Sequence, residues 1–302
     1  MRVRQILLYA TLLLAGCGGG SGGGSSADGD PVGGDGSGGD AVVSAGDEGE
    51  AQGGGQSANW FRPSLGASWQ WQLLGSVNTG YAVDIYDVDL FDSPLELIGQ
   101  LHEAGRKVIC YFSAGSFEDW RPDAAAFADD VKGEPLEGFA DERWLDIRSP
   151  DVVAIMRSRL DLAVQKGCDG VEPDNVDGFA NDTGFALSAT QQLEFNRMLA
   201  EEAHQRKLAV GLKNDLDQIV QLVDDFDFAV NEQCFEFNEC DMLMPFVARQ
   251  KPVLNAEYLQ RYVDDAAARA ALCEASRSAQ FSTLVLPLDL DDAFRFSCEG
   301  PA

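Results

Sequence analysis

The stretch Gly167-Cys-Asp-Gly-Val-Glu-Pro-Asp-Asn-Val-Asp-Gly-Phe179 sets four carboxylates in thirteen positions. Successive side chains of a strand point to opposite faces, so Glu172 and Asp174 share one face while Val171 and Pro173 share the other. Pro173 has no N–H to give to a ladder, and Asn175 to Gly178 favour a turn, so the strand ends near Asp174. At the C-terminal end of a strand in a closed parallel barrel, such residues stand where chemistry is expected.

Working outward, apolar runs alternate with longer helical patterns, the signature of an α/β chain. Eight strands are predicted: Trp69 to Leu74, Ala82 to Tyr86, Lys107 to Ser113, Gly170 to Asp174, Leu208 to Lys213, Phe228 to Glu232, Pro252 to Ala256 and Thr283 to Leu288. The predicted helices are Pro94 to Ala104, with Ser93 as cap and Gly105 just past the end, then Pro150 to Gln165, Ala189 to Arg206, Leu216 to Val223 and Glu257 to Glu274. The count and order predict an α/β fold of the (β/α)8 TIM-barrel type over residues 59–302. Ala114 to Ser149, after the third strand, is the longest insertion and should lie on the active face, either shaping a cleft or burying its tryptophans.

Before the domain, Met1-Arg-Val-Arg4, an apolar run from Ile6 and Leu14-Ala-Gly-Cys17 read as an export signal too short to be a membrane span. Its ending resembles a bacterial lipobox, which makes residues 1–17 a lipoprotein leader with Cys17 as the lipidation site; the alternative is an ordinary signal with an incidental cysteine. Residues 18–58, dominated by Gly, Ser, Ala and Asp, are expected to be a disordered tether. The expected location is the bacterial cell envelope, lipid-anchored and facing periplasm or exterior, or alternatively the secreted fraction. Membrane contact is expected through the lipid anchor alone.

The formal charge of -28 leaves -23 for the domain once the leader (+2) and tether (-7) are removed. Such a surface repels nucleic-acid phosphates and favours a cationic ligand, although solubility or a salt-adapted host would also account for it. The chain is expected to act as a monomer. Six cysteines follow Cys17, and locality favours Cys234 with Cys240 and Cys273 with Cys298, leaving Cys110 and Cys168 in strand-like runs. With no C-x-x-C motif and only His102 and His204, no metal and no cofactor are expected.

Acidic residues are expected at the C-terminal ends of several predicted strands: Asp84, Asp87 and Asp89 following the second, Glu172 and Asp174 ending the fourth, Asp215 after the fifth, Glu232 ending the sixth, Glu257 after the seventh and Asp289 after the eighth. Strand ends of a barrel converge on one cavity, so residues distant in sequence can form a carboxylate pair suited to glycoside hydrolysis. Lys213, Asn214, Asn231 and Gln233 add hydrogen-bonding groups at the same level. Aromatic residues such as Trp71, Tyr111 and Phe235 offer platforms for sugar rings or core packing. A hard-cation site is the competing use of such acids, though no EF-hand-like spacing is present.

Several segments occur in an order that resembles glycoside hydrolase family 114, the endo-α-1,4-polygalactosaminidases. They are Trp69-Gln-Trp-Gln-Leu73, Tyr86-Asp-Val-Asp-Leu-Phe-Asp92, Val108-Ile-Cys-Tyr-Phe-Ser-Ala-Gly-Ser116, the opening stretch, Val210-Gly-Leu-Lys-Asn214 and Asn231-Glu-Gln-Cys-Phe235. The resemblance implies a barrel that cleaves α-1,4-linked galactosamine polymers of the deacetylated galactosaminogalactan type. It implies Asp174 as nucleophile and Glu232 as general acid/base, with a retaining mechanism expected. Galactosamine is cationic at neutral pH, which agrees with the acidic domain and makes a cationic polysaccharide the expected partner. Asp84, Asp87, Asp89 and Glu172 are then candidate substrate-binding residues together with Tyr111, Asn175, Lys213 and Asn231; for the acids the alternative is support of Asp174 and Glu232. Two other functions remain open: a surface lipoprotein that binds polysaccharide without cutting it, and a glycosidase for another α-linked sugar.

Overall fold

The computed structural model describes residues 59–300; the expected leader, Cys17 and tether lie outside the described residues. In chain order the elements are β1 (Trp69–Gln72), β2 (Ile85–Asp89), α1 (Leu95–Glu103), β3 (Lys107–Ser113), β4 (Ser116–Glu118), β5 (Lys132–Leu136), β6 (Phe139–Leu145), α2 (Pro150–Lys166), β7 (Gly170–Asp174) and α3 (Ala189–Gln205). They continue with β8 (Ala209–Lys213), α4 (Ile219–Leu222), β9 (Phe228–Glu232), α5 (Cys234–Phe237), α6 (Met244–Ala248), β10 (Val253–Glu257), α7 (Gln260–Asp264), α8 (Ala266–Ala279), β11 (Ser282–Val285) and β12 (Phe296–Ser297).

Eight parallel strands form one curled sheet in the order β1-β2-β3-β7-β8-β9-β10-β11, and β12 joins its end antiparallel. The two ends of the row meet: the Trp69 indole N–H donates to the Ser282 carbonyl at 3.0 Å, and the N–H groups of Leu73 and Leu74 donate to the Leu290 carbonyl. This is the expected (β/α)8 architecture. The register carries one side-chain phase round the sheet, Trp71 beside Asp87, Asp87 beside Ile109, Tyr111 beside Glu172, Gly170 beside Ala209, Gly211 beside Phe228 and Val230 beside Leu254. That phase is the interior, where Trp69, Trp71, Ile85, Ile109, Tyr111, Ala209, Phe228, Val230, Leu254, Ala256 and Leu284 form one apolar cluster. The opposite phase, with Val88, Cys110, Phe112, Val171, Val210 and Leu212, packs under Ile98 and Leu101 of α1, Val152, Met156 and Leu160 of α2 and Leu199 of α3. A Cβ on Gly211 would stand 2.4 Å from the Phe228 ring, so that glycine is what admits the ring to the barrel centre.

Helix α2 follows its sequence signals: Ser149 accepts from the Asp151 N–H, Pro150 opens the first turn and Gly167 closes it at φ 84°. Elsewhere the elements are displaced from expectation. Helix α1 starts at Leu95 with Pro94 at the cap position, and no side chain caps it, so Ser93 is not the cap. Strand β2 begins three residues later than predicted. The predicted helix from Glu257 gives way to the end of β10, then α7 and α8. The long insertion contains a small antiparallel sheet, β4-β6-β5, in which Ser116 pairs with Trp144. Cys234–Cys240 and Cys273–Cys298 form disulfides, and so do Cys110 and Cys168, which locality had left apart.

Candidate active site

Lys213 ends β8 with its side chain on the inward phase, 2% exposed. Its Nζ lies 3.2 Å from Asp174 Oδ1, 3.2 Å from Glu232 Oε2 and 3.3 Å from Glu172 Oε1, and 4.8 Å from the centre of the Trp71 ring. Four strands therefore deliver one cation, three carboxyl groups and an aromatic face to one point at the C-terminal mouth. Burial disfavours the lysine's charge, but Asp174, Glu232 and Glu172 outweigh it and hold Lys213 well above its ordinary range.

Asp174 and Glu232 keep 18% and 14% of their side-chain surface open to solvent. Asp174 Oδ2 accepts from the Tyr111 hydroxyl at 3.1 Å, and Oδ1 accepts from the Asn175 N–H at 2.7 Å. Glu232 Oε1 accepts from the Tyr258 hydroxyl at 2.5 Å, and Oε2 lies 3.4 Å from Asn214 Nδ2. Asn214 Oδ1 in turn accepts from the Glu232 N–H and from Asn231 Nδ2. The residues that follow the catalytic strands leave the ladder in left-handed conformations, Asn175 at φ 59°, Asn214 at 47°, Asp215 at 44° and Gln233 at 63°. Non-glycine residues at positive φ are uncommon and concentrate where the fold over-determines a site, and Asn tolerates them best.

Beneath this mouth lie two acids that water does not reach. Asp87 and Glu172 are each 0% exposed, and burial pushes both above the usual carboxylate range, with the neighbouring Asp87 charge raising Glu172 further and Lys213 opposing. On the opposite flank burial and the charge of Asp174 lift Asp177 to about 6, and burial and the charge of Asp177 lift Asp215 to about 8. Asp215 Oδ2 accepts from Asn196 Nδ2, which also donates to the Val176 carbonyl and so ties α3 to the loop after β7.

Of the residues expected to bind substrate, Tyr111, Asn175, Lys213 and Asn231 stand at the mouth, each engaged with a site residue or its neighbour. Asn175 donates to Ser113 Oγ at 2.8 Å and so fastens the Asp174 turn to the end of β3. Asp87 and Glu172 are sealed below, which removes them from direct contact with a sugar. Asp84 is at the other end of the barrel: it precedes β2 and accepts from the Ser68 N–H and hydroxyl at 2.8 and 2.7 Å. Asp89 is bound on both oxygens by Arg121, which is also held by Glu118. Tyr258 went unnoticed in the sequence because it fell inside the predicted helix from Glu257; its place one residue past a barrel strand was the available signal. Glu257 itself is 0% exposed and accepts from the Phe235 N–H at 2.9 Å, steadying the loop that follows Glu232. Among the described residues no group of three His, Cys, Asp or Glu is arranged to hold a metal ion.

Two carboxyl groups at the mouth of a (β/α)8 barrel, each fastened by a tyrosine hydroxyl and sharing a lysine, form the constellation that glycoside hydrolysis requires. The model of glycoside-hydrolase family GH114 matches residues 50–302. Ega3 of Aspergillus fumigatus, solved in complex with galactosamine, is 42% identical with a TM-score of 0.75, over 80% of this chain and 98% of that one. The glycoside hydrolase domain of PelA from Pseudomonas aeruginosa shares the fold at 17% identity and a TM-score of 0.59, over 75% of this chain and 96% of that one. No curated protein matches the chain. The family match spans the whole barrel with both carboxylate-bearing strand ends, and the chain belongs to glycoside hydrolase family 114.

Proposed function

We propose that this glycoside hydrolase cuts α-1,4-linked galactosamine polymers internally and with retention, Asp174 acting as nucleophile and Glu232 as general acid/base. The carrying observation is the shared lysine: Asp174 Oδ1 and Glu232 Oε2 are each 3.2 Å from Lys213 Nζ, so these oxygens lie within twice that distance of each other. Retaining enzymes space their carboxyl groups about 5 to 5.5 Å apart, whereas inverting ones need roughly 6.5 to 9.5 Å to admit a water. Galactosamine as substrate unit is supported by the ligand of Ega3 and by the domain's charge of -23, which attracts ammonium-bearing chains.

In the first step Glu232 protonates the glycosidic oxygen while the Asp174 carboxylate attacks the anomeric carbon. The C–O bond breaks and the leaving chain departs with a new hydroxyl. Glu232, now a carboxylate, takes a proton from water whose oxygen attacks the same carbon and releases Asp174. Tyr111 and the Asn175 N–H hold the nucleophile against rotation, and Tyr258 holds the acid.

The test is reducing-end release from de-N-acetylated galactosaminogalactan, with the anomer of the first product read by NMR before mutarotation. An α product supports retention and a β product overturns it; faster cleavage of another α-linked polymer would reassign the sugar. Polymer that is held but never shortened would leave a binding protein. The leader, Cys17 lipidation and the envelope location are proposed from sequence alone; radiolabelled lipid incorporation lost on Cys17→Ser tests them.

A further inference from the structure

Asp87 on β2 and Glu172 on β7 both point into the barrel on the same side-chain phase, two strands apart, and their buried carboxyls come within hydrogen-bonding reach of each other. With both ionised, neither Asp87 oxygen nor Glu172 Oε2 has a hydrogen-bond partner among the described residues, and Glu172 Oε1 has only the Lys213 ammonium at 3.3 Å. Two adjacent carboxylates sealed from water, with a single shared ammonium on one side, cost more than one proton placed between them. With both protonated, Lys213 would have only Asp174 and Glu232 to balance it, and Glu232 must itself be protonated to act as acid. Lys213 would then press on Asp174 alone and restrain the attack. The intermediate state resolves both difficulties.

We infer that Glu172 and Asp87 hold a single proton in common, Glu172 donating to Asp87, so that the pair presents one negative charge to Lys213 and acts as a positioning device for the catalytic carboxyls. Around it stand Trp71 on β1, Tyr111 on β3, Asp174 on β7, Lys213 on β8, Glu232 on β9 and Tyr258 after β10. Asp177 lies near Asp174 and Glu232 in the loop after β7. On β2 itself, Asp89 is neutralised by Arg121. Lys213 is the one cation that faces the pair among these groups, so the pair's charge determines how strongly the ammonium pulls on Asp174 and Glu232. Burial and mutual repulsion favour retention of the proton, and the lysine favours the loss of the second. With Glu232 protonated for catalysis, one cation then faces two anions, a net negative pocket suited to a sugar that gains positive character in the transition state.

The inference rests on the hydrolase reading, and its test has one arm that needs no activity. In the infrared spectrum of the whole protein at pH 7, carboxyl-13C glutamate labelling identifies protonated glutamic acids. One such band should vanish in Glu172→Gln, which assigns it, and should vanish in Asp87→Asn as well, because the lone Glu172 then ionises against Lys213. A band that persists in Asp87→Asn, or no band lost in Glu172→Gln, overturns the inference. The second arm is the pH dependence of kcat/KM. Either single amide keeps one negative charge and should leave both limbs in place whatever it does to the rate. The double variant removes that charge from beside Lys213 and should move the basic limb down by about one pH unit. A single variant that moves the limb as far as the double, or a double variant that leaves it fixed, overturns the inference. Wild-type protein inert on every polymer tested would instead reject the hydrolase reading, with the infrared result unaffected.

Discussion

Two buried cations serve the same face of the barrel in opposite ways. Arg121 is 3% exposed and forks onto Asp89 at 2.9 and 2.7 Å and onto Glu118 at 2.7 and 2.7 Å, so four carboxylate oxygens meet guanidinium donors. Phe91 and Trp120 rings flank it. Lys213 is as deeply buried but reaches three carboxyl groups at 3.2 to 3.3 Å, and two of those open to solvent. The planar fork saturates its partners and locks the insertion to β2; the single ammonium holds its partners without fixing the protonation of any. A buried ion pair that is fully bonded is scaffold, and one that is shared and partly open is equipped for chemistry.

The sharpest way to break this contrast is at the open pair. Asp174→Asn and Glu232→Gln should each reduce kcat by about 10³-fold or more with little change in Tm, since the proposed nucleophile and the proposed acid/base both stand at a solvent edge. If either keeps full activity, the catalytic assignment fails. Arg121→Met should do the reverse: it strands Asp89 and Glu118 without their cation, costs about 3–5 kcal/mol and lowers Tm by about 10 °C, while kcat per folded molecule changes little. A stable but inactive Arg121→Met would erase the distinction. Lys213→Met is the intermediate case. Two of its carboxyl groups open to solvent, so stability should fall less than with Arg121→Met, and kcat should fall about 10²-fold because the cation that gathers Asp174 and Glu232 is gone.

The smallest effect concerns the acids beneath the mouth. Burial lifts Asp177 to about 6, Glu257 to about 7 and Asp215 to about 8. Between the unfolded carboxylate range near pH 4 and these values, the native state binds more protons than the unfolded one. Stability is therefore fully present at the acid end of that window and declines as pH rises through 6 to 8. Tm should drop by several degrees from pH 5 to pH 8, and Asp215→Asn should flatten part of that slope. A Tm that rises over the same interval would show these acids to be stabilised by partners in the ionised form.

The barrel was readable because its strands are nearly continuous apolar runs, buried on both faces. Sequence pattern and structure part where the interior is charged. Asp87 and Asp89 look like surface residues in sequence, which predicts an end to the second strand before them and sets Asp84 at the mouth, whereas Asp84 lies at the opposite end of the barrel. Glu257 is buried at the close of β10, where the sequence pattern predicts the start of a helix, and a helix there hides the strand-end position of Tyr258. Asp174 and Glu232 were legible as motifs, but their meeting on Lys213 depends on the sheet bringing β7, β8 and β9 side by side. The same holds for Cys110 and Cys168: 58 residues separate them, yet neighbouring positions on β3 and ahead of β7 bring their Cα atoms to 6.0 Å.

At the opposite pole, the Trp60 indole lies flat on His204 at 4.2 Å and reaches Asp227, which accepts at 3.2 Å, shares the His204 ring nitrogen at 2.9 Å and takes the Val210 N–H. This clasp fixes the polypeptide's entrance to the domain under the floor of the barrel, directly away from its open mouth. The floor is thus closed by stacked and ionic contacts far from the chemistry, like the base of a cup whose rim is left free.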